Sequence, residues 1–156
     1  MFVSPERVAG SQLSFVDNIK SLGAYIDADP SFDAQVNTVC KTCNYHIRAL
    51  RHIWNNLPMN VSKTVACSIA GSRLDYCNAL LYGISDRNIQ KVQRVQNDLA
   101  CFVLKAPRQT PTDQMLAILH WLPIDHRIRY KMAVLAYKSV RTVQPAYLSD
   151  GLCIIT

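Results

Sequence analysis

Cys40, Cys43 and His46 stand at the spacing C-x2-C-x2-H. Thiolates and imidazoles at such spacings hold zinc, but a structural site needs four ligands. No second Cys/His pair of matching spacing occurs in the 156 residues. Cys40 and Cys43 also fall on the apolar stripe of a helix, where free thiols pack as small hydrophobes. The reading is core cysteines and no metal. His120 and nearby Asp125 are an acid–base pair by residue type. No serine or cysteine in a nucleophile motif accompanies them, and Trp121 in "HWLP" reads as a packing anchor. Five glycines form no phosphate-cradling loop. The dipeptide Asp-Asp does not occur, so a polymerase-type carboxylate pair for two metal ions is missing. No catalytic residue is assigned.

What remains is charge. Residues 1–40 sum to −3, whereas residues 41–156 sum to +9. Between Lys41 and Arg73 there are five basic residues and no acidic one. A basic body behind an acidic entry segment fits contact with a polyanion such as nucleic acid. Arg48, Arg51, Lys63, Arg73, Lys91 and Arg94 are the candidate contacts. Arg87, Lys91 and Arg94 recur at four and three, and so share a helix face, with Gln90, Gln93 and Gln96 interleaved. That pattern suits tracking phosphates, and equally a solvated outer face without a partner.

The elements that position these residues are mostly helices. Apolar residues make up 49% and charged residues 18%, a globular and not a disordered composition. Residues 11–26 read as a hairpin, with Asp17-Asn18 as turn chemistry. Leu22, Ala24 and Ile26 alternate like a strand with one buried face. Gly23 within it marks a bulge or a close backbone approach. Ser31 is the expected cap of a first helix, whose face is Phe32, Val36, Val39, Cys40, Cys43, Ile47, Leu50 and Trp54. A second helix is expected from a Ser62 cap to about Tyr82, with Gly83 after it. A third starts near Ser85 or Asp86, with Ile89, Val92, Val95, Leu99, Phe102 and Val103 inward. Thr110-Pro111 opens a short helix to about His120. Pro123 opens a fifth to about Arg141, its inner face Ile128, Met132, Leu135, Ala136 and Val140. The fold class is mainly α, a bundle of about five helices preceded by a short β-hairpin. Its divisions are 1–30, 31–108 and 109–156: hairpin, bundle, and helical extension packing on it.

The longest apolar runs are six residues, against about 20 for a membrane span. No secretory leader is visible in "MFVSPERVAG". An intracellular protein of nucleus or cytoplasm, not secreted, is expected, and its six cysteines read as free thiols.

Several stretches in order resemble one family. "NIKSLGAYIDADPSFDAQVNTVCKTCNYHIRAL" resembles the segment after the catalytic palm in reverse transcriptases of non-LTR retrotransposons, the jockey-like LINE elements. "SRLDYCNALLYGISDRNIQKVQRVQNDLACFVL" is similar to their thumb. "LHWLPIDHRIRYKMAVLAYKSV" and "PAYLSD" are similar to the region C-terminal to that thumb. The resemblance implies an RNA-directed DNA polymerase fragment. In the family the Mg2+-binding Phe/Tyr-Ala-Asp-Asp block lies upstream of the matching region. The chain is then a C-terminal remnant, not an enzyme on its own, with no cofactor. "SLGAYID" would match the primer-grip hairpin, with Leu22 and Gly23 letting the backbone approach the primer strand. The helical body would hold an RNA–DNA or DNA duplex by its phosphates. In "SRLDYCNALLYG", Arg73 is expected to reach a phosphate or a neighbouring helix. Asp75 is expected to order a turn or pair with a base. Tyr76 and Tyr82 are expected to pack against the third helix. The alternative from another class is a structural or protein-interaction module, or an inert pseudogene product, without nucleic-acid affinity. Its exposed palm-facing apolar surface would self-associate.

Overall fold

The structure is a computed structural model that describes residues 7–8, 11–12, 16–28, 31–53, 56–107, 109–142 and 151. Trp54 and "PAYLSD" lie outside the described residues. The architecture is mainly helical. Two short strands, β1 (Arg7–Val8) and β2 (Ser11–Gln12), pair antiparallel. A hairpin of β3 (Asn18–Ser21) and β4 (Ala24–Asp27) comes after them. Five helices come next: α1 (Asp33–Arg51), α2 (59–75), α3 (Asp86–Leu104), α4 (Thr112–Leu119) and α5 (Ile124–Thr142).

The hairpin turns at Leu22-Gly23, not at Asp17-Asn18. Both turn residues have positive φ, +49° and +86°, the geometry whose twist matches a two-residue hairpin. Moving the turn by five residues puts Leu22 at the tip, 91% exposed, while Ala24 is buried and Ile26 half-exposed. The expected buried face of this strand therefore reduces to Ala24. Asp17 instead extends the ladder at the open end of the hairpin, its carbonyl accepting from the Ala28 N–H at 2.8 Å.

The hairpin is fastened to α1. The Tyr25 N–H donates to Gln35 Oε1 at 2.9 Å, and the Ala34 N–H donates to Asp27 Oδ2 at 3.3 Å. Ser31 Oγ accepts from the Asp33 N–H at 3.4 Å, so Ser31 and Asp27 together serve the orphan amides of the first turn. The N-cap position itself is Phe32, in the left-handed region, one residue later than expected. Asn88 of α3 joins here, its Nδ2 donating to Asp33 Oδ1 at 2.8 Å and to the Ser31 carbonyl at 3.2 Å.

α2 departs most from expectation. It starts at Met59 after Pro58, and Ser62 is buried inside it without capping. Cys67–Gly71 is π-helical, and the Ser72 N–H reaches back to the Cys67 carbonyl. The Cys43 thiol donates to the Ala70 carbonyl at 3.7 Å within that stretch. The helix ends at Asp75, because Tyr76 is extended and Cys77 is left-handed, and Asn78–Leu81 is a 3-10 turn. Tyr76 is therefore 50% exposed and Tyr82 61% exposed, more open than the expected packing against the third helix implies.

The faces of α1 and α3 obey their periodicity, and that of α5 does so only in its first half. α3 buries Val92, Val95, Leu99, Phe102 and Val103 against Val36, Cys43, Ile47 and Leu50 of α1. Ala66, Ala70 and Leu74 of α2 let it approach closely, and Met115, Leu116, Leu119, Ile124 and Ile128 close the same core. Pro111 sits at the N-cap of α4, one residue beyond the expected Thr110 cap. α5 buries Ile124, Ile128 and Ser139, whereas the expected inward Leu135, Ala136 and Val140 are exposed. Among the described residues no helix is long and apolar enough to cross a membrane.

Candidate nucleic-acid interface

The hairpin tip overhangs a cleft of about 610 Å3 between α1 and α2. Leu22 and Gly23 form its upper edge, and Thr38, Thr42, Arg73 and Tyr76 line its walls. The Tyr76 hydroxyl donates to the Leu22 carbonyl and pins the tip in place. Its ring also stands 3.7–3.8 Å from where a Cβ on Gly23 would be, ordinary contact, so Gly23 is required by its φ and not by crowding. Gly23 is thus a turn residue beside a close approach, and what approaches is Tyr76.

Arg73 is exposed on the last turn of α2. Among the described residues it has no carboxylate within ion-pair distance, so its guanidinium faces the cleft without a counter-charge. The Thr42 hydroxyl donates to the Thr38 carbonyl at 2.8 Å, and Ser72 donates to the Ser68 carbonyl at 2.6 Å. These oxygens are bonded to their own helices, which leaves Arg73 as the cleft's cationic group.

The other five candidate cations do not line this cleft. Arg51 reaches Asp98 at 4.0 Å. Lys63 donates to the Leu119 carbonyl at 3.3 Å, at the negative end of α4. Lys91 donates to Asn37 Oδ1 at 3.2 Å and lies 3.8 Å from Asp33. Arg48 and Arg94 are exposed on α1 and α3, without an ion pair among the described residues. Three of the six therefore hold helices together.

The glutamines read with Lys91 and Arg94 divide. Gln90 is exposed, but Gln96 is fully buried and donates to the Leu122 carbonyl at 2.8 Å. Gln93 Oε1 accepts from the Ile124 N–H at 2.9 Å, and its Nε2 donates to Gln96 Oε1 at 2.9 Å. They anchor the "WLPI" turn to α3 and do not track phosphates. Nothing in their periodicity separates them from Gln90, because the loop they hold is distant in sequence. The cleft positions of Tyr76 and Thr38 are invisible in the sequence for the same reason.

Cys43 is fully buried, and burial above all pushes its thiol up to about 11, with Cys40 adding and Arg73 opposing. Burial likewise raises Cys40, against the pull of Lys91. A thiol that holds its proton is a poor metal ligand. Among the described residues no three His, Cys, Asp or Glu side chains gather around a common point. His120 is exposed in a left-handed C-cap and Asp125 pairs with Arg129 at 2.9 Å, so they do not form an acid–base couple. Asp75 does pair with a base: Arg127 Nη2 donates to its Oδ1 at 2.6 Å. No protein-family model, no curated protein and no solved structure matches the chain.

Proposed function

We propose that the chain is the post-palm, thumb-like part of a non-LTR retrotransposon reverse transcriptase, and that it holds a template–primer duplex without extending it. The observation that carries this reading is Leu22. A leucine in the left-handed region costs about 1–2 kcal/mol, and 91% exposure leaves no packing to offset that cost. The two-residue turn needs that conformation but takes it more readily from Gly or Asn, so an exposed leucine there suits a working surface. Here, with its carbonyl held by Tyr76, it presents an apolar side chain above Arg73, a surface against which a strand can lie. The ordered resemblance and the +9 of residues 41–156 support the same reading. With no Asp-Asp pair in these residues, no polymerisation step is assigned to them.

A second reading is favoured by the internal pairing of Arg51, Lys63 and Lys91, and by the apolar residues exposed on α5. It is a helical protein-interaction module. The test that separates them is affinity for a short RNA–DNA hybrid against salt concentration. The duplex reading expects a steep salt dependence, reduced by about one unit of slope in Arg73→Ala. Lys91→Ala, whose charge is already matched, leaves the slope nearly unchanged. A folded sample with no affinity at low salt removes the duplex reading and leaves the interaction module.

A further inference from the structure

A second cleft, of about 350 Å3, opens between the 3-10 turn, the "HWLP" loop and the start of α5. Asp75 lines it, and the next residue, Tyr76, lines the first cleft. The two clefts therefore lie on either side of one stretch of backbone at the end of α2. We propose that this second cleft binds a single unpaired nucleotide.

Trp121, half-buried against the core, and the exposed Tyr130 and His120 are the ring-bearing members of its lining. Arg127 neutralises Asp75, which leaves Lys131 as the surplus charge, exposed and without an ion pair among the described residues. Buried Asn78 also lines the cleft, with its amide oxygen unpartnered. Aromatic rings beside one net positive charge suit a ligand with an unsaturated ring and an attached anion. A base stacks on such rings whatever its sequence, and a lysine holds its phosphate. Asn78 is more than nine-tenths buried and its amide oxygen is closed to solvent, so it shapes the cleft floor and offers no contact to the base. The volume is at the low end for small-molecule sites, about 300–1,000 Å3, so it takes one nucleotide and excludes a duplex. The inference goes beyond the duplex reading and uses none of its residues.

The experiment titrates the whole chain with adenosine 5′-monophosphate, with tryptophan fluorescence as the signal. Adenosine and inorganic phosphate are the controls. The expected result is quenching that saturates with the nucleotide, is at least about fivefold weaker for adenosine, and is absent for phosphate. Lys131→Ala weakens nucleotide binding at least about fivefold and leaves adenosine binding unchanged, and Tyr130→Ala weakens both. Trp121→Phe removes the signal. If that variant does not fold, the two exposed substitutions carry the test. No response at millimolar nucleotide, phosphate competing as well as the nucleotide, or an unchanged affinity in Lys131→Ala overturns the proposal. The duplex reading can fail through Arg73→Ala while nucleotide binding persists, so the two failures are distinguishable.

Discussion

Cys43 shows how one position acquires its chemistry from packing. Its spacing from Cys40 and His46 is that of a metal motif, but its thiol donates to the Ala70 carbonyl in a sealed interior. With its proton held to about 11 against an ordinary 9.0, the folded chain keeps a proton that the unfolded chain loses. The contribution is fully present below pH 9 and drains as pH rises from 9 to 11. Urea midpoints across that window are expected to fall more steeply for the native chain than for Cys43→Ala. Cys67, exposed on α2, is expected to alkylate at neutral pH before Cys43, as read by mass spectrometry.

At the scale of elements, two short segments join distant parts of the chain. The β3–β4 tip is held by Tyr76, and replacing Leu22 by Asn relieves its left-handed strain. Leu22→Asn is expected to stabilise the fold by about 0.5–1 kcal/mol in urea titrations, while weakening hybrid binding. A gain in stability without a loss of affinity would detach the tip from function. The Gln93–Gln96 pair fastens the turn before α5. Gln96→Ala, which opens a cavity and orphans the Leu122 carbonyl, is expected to cost about 2 kcal/mol or more. Gln90→Ala, on the exposed side of the same helix, should stay within about 0.5 kcal/mol.

For the molecule as a whole, α5 decides how much apolar surface meets solvent. Tyr130, Leu135, Tyr137 and Val140 are exposed along it, and no basic residue of the first cleft lies there. Tyr130 and Tyr137 project on one side of the helix and Leu135 on the opposite side, and exposed apolar side chains of this kind associate with another surface. Sedimentation velocity is expected to show self-association that rises with concentration and that Leu135→Asp reduces. An unchanged profile in that variant would place the contact elsewhere. Duplex binding and self-association then use different faces and are expected to be additive.

Much of the architecture is legible in the residues alone, because helix formation depends on local periodicity. The stripes of Val36, Cys43, Ile47 and Leu50, and of Val92, Val95, Leu99, Phe102 and Val103, name their helices and their buried faces. The resemblance to a thumb rests on residue order in the same way. What tertiary structure decided is every feature that depends on residues far apart in sequence. It placed the hairpin turn at Leu22-Gly23, where Tyr76 holds it, and ended α2 at Asp75, where Arg127 takes the carboxylate. It also divided the cations, since Arg51, Lys63 and Lys91 find their partners 47, 56 and 58 residues away. A charge's availability is set by what folding brings beside it, and periodicity along the chain carries no record of that.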